Sequence, residues 1–213
     1  MDACSFTAEP STLWPCLPCS APGPRARSPS ASTSEATREC CSRGRGLSQE
    51  LRSCVVVVGP GEGASADAVA DAAIVGRLIA ERGWVMLSGG RAAGVMAAAT
   101  RGASEAGGLT VGILPNADKR DAAPELTIAL PTGLGEARNA VLVTAADAVI
   151  ACGMNPGTAS EVALALRARK PTVLVRPSAE AKAFFERVAG GSPPHVAESS
   201  QDAVSWVARQ LGQ

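Results

Sequence analysis

One histidine, His195, stands in the whole 213-residue sequence, and tyrosine is absent. A single imidazole excludes a histidine-based zinc cluster, and it leaves a Ser-His-Asp triad only if His195 is the base. His195 follows Ser192-Pro193-Pro194, a context that predicts an exposed loop residue. Aromatic residues number only three Trp and three Phe, so small residues must supply most of the packing. Net charge is also missing: 20 Lys and Arg face 20 Asp and Glu. That balance argues against a nucleic-acid partner held through its phosphates. No apolar run approaches the roughly 18 residues a membrane span needs, so no membrane partner is expected. Cysteine is unevenly spread, with Cys4, Cys16, Cys19, Cys40 and Cys41 all near the start of the chain. Cys16-Leu17-Pro18-Cys19 has C-x-x-C spacing but no second ligand pair and no redox-fold context, and no metal site is read from it. Cys54 opens a predicted strand and Cys152 directly follows one, and both read as reduced, buried small hydrophobes.

Residues 1–50 are rich in Ser, Pro, Cys and Arg and show no period that could build a core. They are expected to be a disordered leader. Three origins stay open: an organelle transit peptide, a plain disordered tail, or a stretch added by a misplaced start site. Asp2, Glu9, Glu35 and Glu39 weaken the first of these.

Residues 51–213 alternate between two patterns. Apolar strands are predicted at Cys54–Val58, Val85–Leu87, Thr110–Leu114, Leu126–Ala129, Ala148–Ala151 and Thr172–Val175, with a short one at His195–Val196. Helices are predicted at Ser65–Arg82, Gly94–Ala106, Gly135–Ala145, Thr158–Arg169, Ala179–Val188 and Gln201–Leu211. Strands apolar on both faces, separated by amphipathic helices, indicate a parallel sheet covered on both sides. The expected fold is a doubly wound α/β domain of Rossmann type.

Three strand exits are rich in glycine. Val55–Val58 runs into Gly59-Pro60-Gly61-Glu62-Gly63, Val85–Leu87 into Ser88-Gly89-Gly90-Arg91, and Ala148–Ala151 into Gly153-Met154-Asn155-Pro156-Gly157-Thr158. One such loop is weak evidence, since glycine often serves geometry alone. Three at the carboxyl edge of one parallel sheet, where ligands of such sheets bind, are stronger. The third opens a helix, whose free N–H groups and positive dipole end suit an anion. A small phosphorylated ligand is expected, with Gly157 and Thr158 donating to its phosphate and Arg91 and Arg138 as cations. Glu161 follows Thr158 at capping-box spacing, so its carboxylate either bonds the helix start or faces the pocket. Arg138 and Arg91 are read either as ligand contacts or as solvated, locally paired charges. Gly59, Gly61 and Gly63 serve the ligand or only the turn. Met96 reads as core packing.

The wording of these loops carries a family likeness. Ser88-Gly89-Gly90, Gly94-Val95-Met96, Glu136-Ala137-Arg138 and Pro156-Gly157-Thr158 with Glu161 resemble the Lonely Guy, or lysine-decarboxylase-like, superfamily across about Cys54 to Val188. Its best-known members are cytokinin-activating phosphoribohydrolases, which split nucleoside 5′-monophosphates into base and ribose 5-phosphate. Within it, residues 83–91, 102–115, 132–139 and 153–166 are similar to the molybdenum cofactor carrier family of green algae. That resemblance implies a protein that binds and protects molybdenum cofactor without turnover, so no catalytic residue is expected. It implies ligand contacts from Gly59, Gly61, Gly63, Ser88, Gly89, Gly90, Arg91, Arg138, Asn155, Gly157, Thr158 and Glu161. It implies a homo-oligomer, a tetramer built on a dimer, for which the Ala97-Ala98-Ala99 helix face allows close contact. Molybdenum enzymes such as nitrate reductase follow as partners by family analogy, and the cytoplasm as location, or the chloroplast if residues 1–50 are a transit peptide.

The departures from the hydrolases point the same way. Their phosphate loop usually reads Pro-Gly-Gly-x-Gly-Thr-x-Glu-Glu, where this chain has Asn155 for one glycine and Ser160 for the first acid. Their Arg-Lys pair becomes Arg138-Asn139. The two residues that the hydrolases use in catalysis are nonetheless matched by Arg138 and Glu161, which leaves phosphoribohydrolase activity as the alternative.

Overall fold

Valine and isoleucine runs build the sheet of this computed structural model, which describes residues 51–213. Residues 1–50, the expected leader with its Cys16-Cys19 pair, lie outside the described residues. The strands are β1 (Cys54–Val58), β2 (Val85–Ser88), β3 (Leu109–Leu114), β4 (Ile128–Pro131), β5 (Ala148–Cys152), β6 (Thr172–Val175) and β7 (His195–Ala197). They pair in parallel throughout, in the order β4-β3-β2-β1-β5-β6-β7. Because side chains alternate across a strand, Val55 and Val57 enter one core and Val56 and Val58 the other. Helices α1 (Ala66–Glu81), α2 (Gly94–Glu105) and α6 (Ser200–Gln210) cover the first face. Helices α3 (Arg138–Ala145), α4 (Pro156–Arg167) and α5 (Ala179–Val188) cover the second. The result is the doubly wound α/β fold expected from the alternation of patterns.

The first face is closed by glycine. A Cβ on Gly76 of α1 would overlap the Ala99 carbonyl oxygen of α2, and one on Gly102 of α2 would overlap the Ala73 carbonyl oxygen of α1. The two backbones therefore touch at reciprocal points. Ala98 and Ala99 are buried in this contact within the chain, so that part of the alanine face is not available to a neighbouring copy.

Several boundaries differ from the pattern reading. β4 starts at Ile128 rather than Leu126, because Thr127 is held by side-chain bonds to Thr110, its N–H donating to Thr110 Oγ1 at 2.8 Å. The single helix expected from Gly135 is a 3₁₀ turn, Gly135–Ala137, followed by α3. His195 is not an exposed loop residue: it is half-buried in β7, its ring stacked on Trp206 with centroids 4.8 Å apart. Cys152 is buried as expected, whereas Cys54 at the start of β1 is only half-buried.

Strand order reverses between β1 and β5. The chain leaves β1 toward the first face and β5 toward the second, which opens a crevice at their carboxyl ends. That is where ligands of open parallel sheets bind.

Candidate functional site

The β1–α1, β2–α2 and β5–α4 turns and the start of α3 converge on a cavity of ≈ 320 Å³ at this crevice. Of the residues expected from the sequence, Gly59, Gly61, Gly89 and Arg91 line it from the first two turns. Asn155, Gly157, Thr158 and Glu161 line it from the third, and Arg138 from α3. Gly63, Ser88 and Gly90 do not. Ser88 is buried behind the turn, where its hydroxyl accepts the Gly90 N–H at 3.1 Å and lies 3.4 Å from Thr100 Oγ1. Gly63 and Gly90 adopt φ of 75° and 76° and shape the loops.

The start of α4 differs from the sequence reading. Asn155 is the N-cap and Pro156 the first helical residue, a pairing that suits a side-chain acceptor followed by a residue with no N–H to satisfy. Asn155 Oδ1 accepts both the Thr158 N–H and the Thr158 hydroxyl, each at 2.8 Å. Of the first three helical residues, Pro156 has no N–H and that of Thr158 is engaged, which leaves the Gly157 N–H for an anion. The capping-box reading of Glu161 is overturned: with the helix starting at Pro156, Glu161 lies beyond the first turn and its carboxylate turns to Arg138.

Arg138 and Glu161 form the charged centre of the cavity. Both are almost fully buried, at 8% and 7% exposure, with Arg138 Nη1 3.3 Å from Glu161 Oε1. Charge-assisted bonds of this kind are normally about 2.7–2.9 Å long, so the pair is loosely made. Arg138 Nε is buried with no hydrogen-bond partner. The guanidinium fits only because residue 89 is glycine, since a Cβ there would stand 2.6 Å from Arg138 Nη2. Burial pushes the Glu161 carboxyl up to about 7; Arg138 opposes the rise, and Glu136 adds to it.

This shift gives a pH dependence of stability. The folded carboxyl lies above its unfolded value of about 4.3. Its contribution is therefore full below that value and is lost as pH rises through about 7. Glu161→Gln removes the titration. Relative to the variant, the wild type is expected to lose on the order of 2 kcal/mol between about pH 5 and about pH 8. Chemical denaturation of both proteins at the two pH values measures this. A stability difference that does not change with pH would refute it.

Residues not selected from sequence complete the lining: Val57, Val58, Glu62, Met96, Glu136 and Asn139. Met96 does more than pack the core. Asn139 Nδ2 donates to Ser160 Oγ at 3.4 Å, while the Ser160 hydroxyl donates to the Gly157 carbonyl at 2.7 Å. Two of the three positions that depart from the hydrolase pattern thus bond each other, a neutral pair where the pattern has Lys and Glu. Asn139 Oδ1 is left buried without a partner. In the sequence the signal for this contact is the pair Asn139 and Ser160, two departures that compensate each other.

Known proteins share this fold. The molybdenum cofactor binding protein of the phototrophic bacterium Rippkaea orientalis superposes with a TM-score of 0.74 at 39% identity, covering 76% of this chain and 99% of that one. The molybdenum cofactor carrier protein of Chlamydomonas reinhardtii superposes with a TM-score of 0.72 at 39% identity, covering 76% of this chain and 100% of that one. An uncharacterised protein of Archaeoglobus fulgidus is 43% identical over 104 residues, which are 48% of this chain and 67% of its own. The SLOG cluster4 family model matches residues 52–204, from before β1 into α6. With the same fold, the glycine exits and the site loops all inside that span, the chain belongs to the SLOG cluster4 family.

Proposed function

We propose that this chain binds, shelters and carries molybdenum cofactor without turning it over. The observation that carries this reading is its 39% identity to two solved proteins that bind or carry that cofactor, across 99% and 100% of their lengths. The cavity supports it chemically. Molybdenum cofactor is a flat pterin fused to a pyran ring that bears a dithiolene, and it ends in a phosphomonoester. The residues that would hold the phosphate are Arg138, whose Nε has no partner, and Gly157 through its N–H. Arg91 supplies a second, exposed cation, and Gly61 and Gly89 put no side chain beside Met96 and Arg138 in the wall, which suits a flat ring system, while Gly59 lies close against Val95 and the Cys152 carbonyl.

In this reading the protein works as a tetramer and hands its cargo to molybdenum enzymes such as nitrate reductase. It does so in the cytoplasm, or in the chloroplast if residues 1–50 are a transit peptide. Exposed Ile128 and Leu130 on the edge strand β4, with Leu134 and Val141 nearby in sequence, offer apolar surface for association. Light scattering at micromolar concentration is expected to give four copies, and a monomer would count against the carrier reading.

A second reading keeps one observation in its favour. A buried Glu161 pushed to about 7, beside Arg138, resembles the acid–cation pair of a nucleoside monophosphate phosphoribohydrolase. The two are separated by offering purified protein both ligands. The carrier reading expects retained molybdenum cofactor after gel filtration and only background release of adenine from adenosine 5′-monophosphate. Strong base release that disappears in Glu161→Gln would replace the carrier with the enzyme.

A further inference from the structure

We propose that anion capture in this cavity is coupled to proton uptake: the ligand's anionic group takes Arg138 from Glu161, and Glu161 becomes a neutral acid that donates a hydrogen bond. The inference rests on the reading of the cavity as a phosphate site and adds the charge exchange that such a site requires. No covalent bond changes. One proton comes from solvent onto a Glu161 carboxylate oxygen, and Arg138 keeps its charge throughout.

Charged groups of both signs share the cavity with Glu161. Arg138 pairs with it from α3, Glu136 acts on it from the 3₁₀ turn before α3, and Glu62 of the β1–α1 turn and Arg91 of the β2–α2 turn line the same cavity. Three carboxylates therefore stand against two guanidinium groups before any ligand arrives. Arg91 is exposed and partly screened by water, so among the described residues that line the cavity Arg138 is the buried cation. A phosphomonoester at neutral pH brings nearly two further negative charges. Two anionic groups around one buried guanidinium cannot both stay ionised cheaply, and the one that neutralises is the one already closest to doing so.

Geometry favours the same exchange. The 3.3 Å contact between Arg138 Nη1 and Glu161 Oε1 is long for an ion pair, and the unpartnered Nε leaves a donor for a stronger acceptor. The glycine at position 89 gives the guanidinium its place beside that cavity wall. Once neutral, Glu161 gains an O–H, which suits a ligand oxygen better than a second carboxylate would. Independently of this geometry, burial has already brought Glu161 to about 7, so the neutral form is accessible under ordinary conditions. The ligand class follows: a compact dianion with acceptor oxygens, such as a phosphomonoester, held more weakly as the solution becomes basic.

The probe phosphate is a monoester, glycerol 3-phosphate, whose second ionisation at about 6 leaves it nearly dianionic where Glu161 titrates. The full chain is labelled with carboxyl-¹³C glutamate, and the Glu161 signal is assigned through its backbone connectivity and checked by its loss in Glu161→Gln. Its titration is followed in chloride and in saturating glycerol 3-phosphate at equal ionic strength. The midpoint is expected to rise by at least about one unit in the monoester. Wild-type affinity for the monoester is expected to fall by up to about tenfold per pH unit above the free midpoint, while that of Glu161→Gln stays level. Saturating shifts of the Gly157 and Gly89 amides with an unmoved or lowered Glu161 midpoint would overturn the proposal and leave the phosphate site standing. No amide shift at either glycine would overturn the phosphate site and this proposal together.

Discussion

Gly76→Ala is expected to destabilise the domain by about 3 kcal/mol, near the upper end of overpacking costs. The added Cβ would overlap the Ala99 carbonyl oxygen, which is backbone and cannot swing aside. Helices α1 and α2 must therefore separate, and the alanines packed between them lose contact along the crossing. Gly102→Ala should behave alike, because its Cβ meets the Ala73 carbonyl from the other side. For a domain of this size the melting temperature should fall by about 6–12 °C. Gly157→Ala provides the comparison: its Cβ meets only Asn155 Oδ1, at 3.5 Å, and its melting temperature should stay within about 2 °C of wild type. Equal melts for the Gly76 and Gly157 variants would show that the helix crossing relaxes without cost.

Neither crossing glycine stood out in the sequence, and the reason is physical. A glycine inside a helix costs stability locally, so its compensation lies in a partner helix that pattern reading does not place. The strands were easier to find. Their apolar runs are long on both faces, and β1 and β6 occupy the spans that the pattern predicts, as does α5 with its amphipathic period. α4 starts two residues before the expected Thr158, because Asn155-Pro156 has the composition of a loop yet serves as N-cap and first helical residue.

The site divides in the same way. Glycine exits are legible because they follow strands, and their convergence follows from strand order. The pairing of Arg138 with Glu161, 23 residues apart on two helices, depends on how α3 and α4 are set on the second face. So does the bond between Asn139 and Ser160, each visible in the sequence only as a separate departure. Glu62 and Glu136 carry no site role in the sequence pattern, because an acid near a glycine turn is ordinary until the cavity's charge balance is known.

Gly89→Ala is expected to weaken ligand binding by about 10- to 100-fold while leaving the fold intact. Its Cβ would stand 2.6 Å from Arg138 Nη2 and 2.8 Å from Met96 Sδ. Both atoms are ends of flexible side chains, so the protein can yield there, in contrast to the backbone clash at Gly76. What it gives up is the place of Arg138 in the cavity. A hydrogen bond to a charged group contributes about 1.5–3 kcal/mol, and each 1.4 kcal/mol is about tenfold in affinity, which sets the size of the loss. The measurement compares cofactor retained after gel filtration, and glycerol 3-phosphate affinity, between variant and wild type, with a melting curve to show that both are folded. Arg138→Ala should match the variant in binding. Wild-type affinity in a folded Gly89→Ala protein would mean that Arg138 does not hold the anion, and the phosphate would have to rest on Gly157 and Arg91 instead.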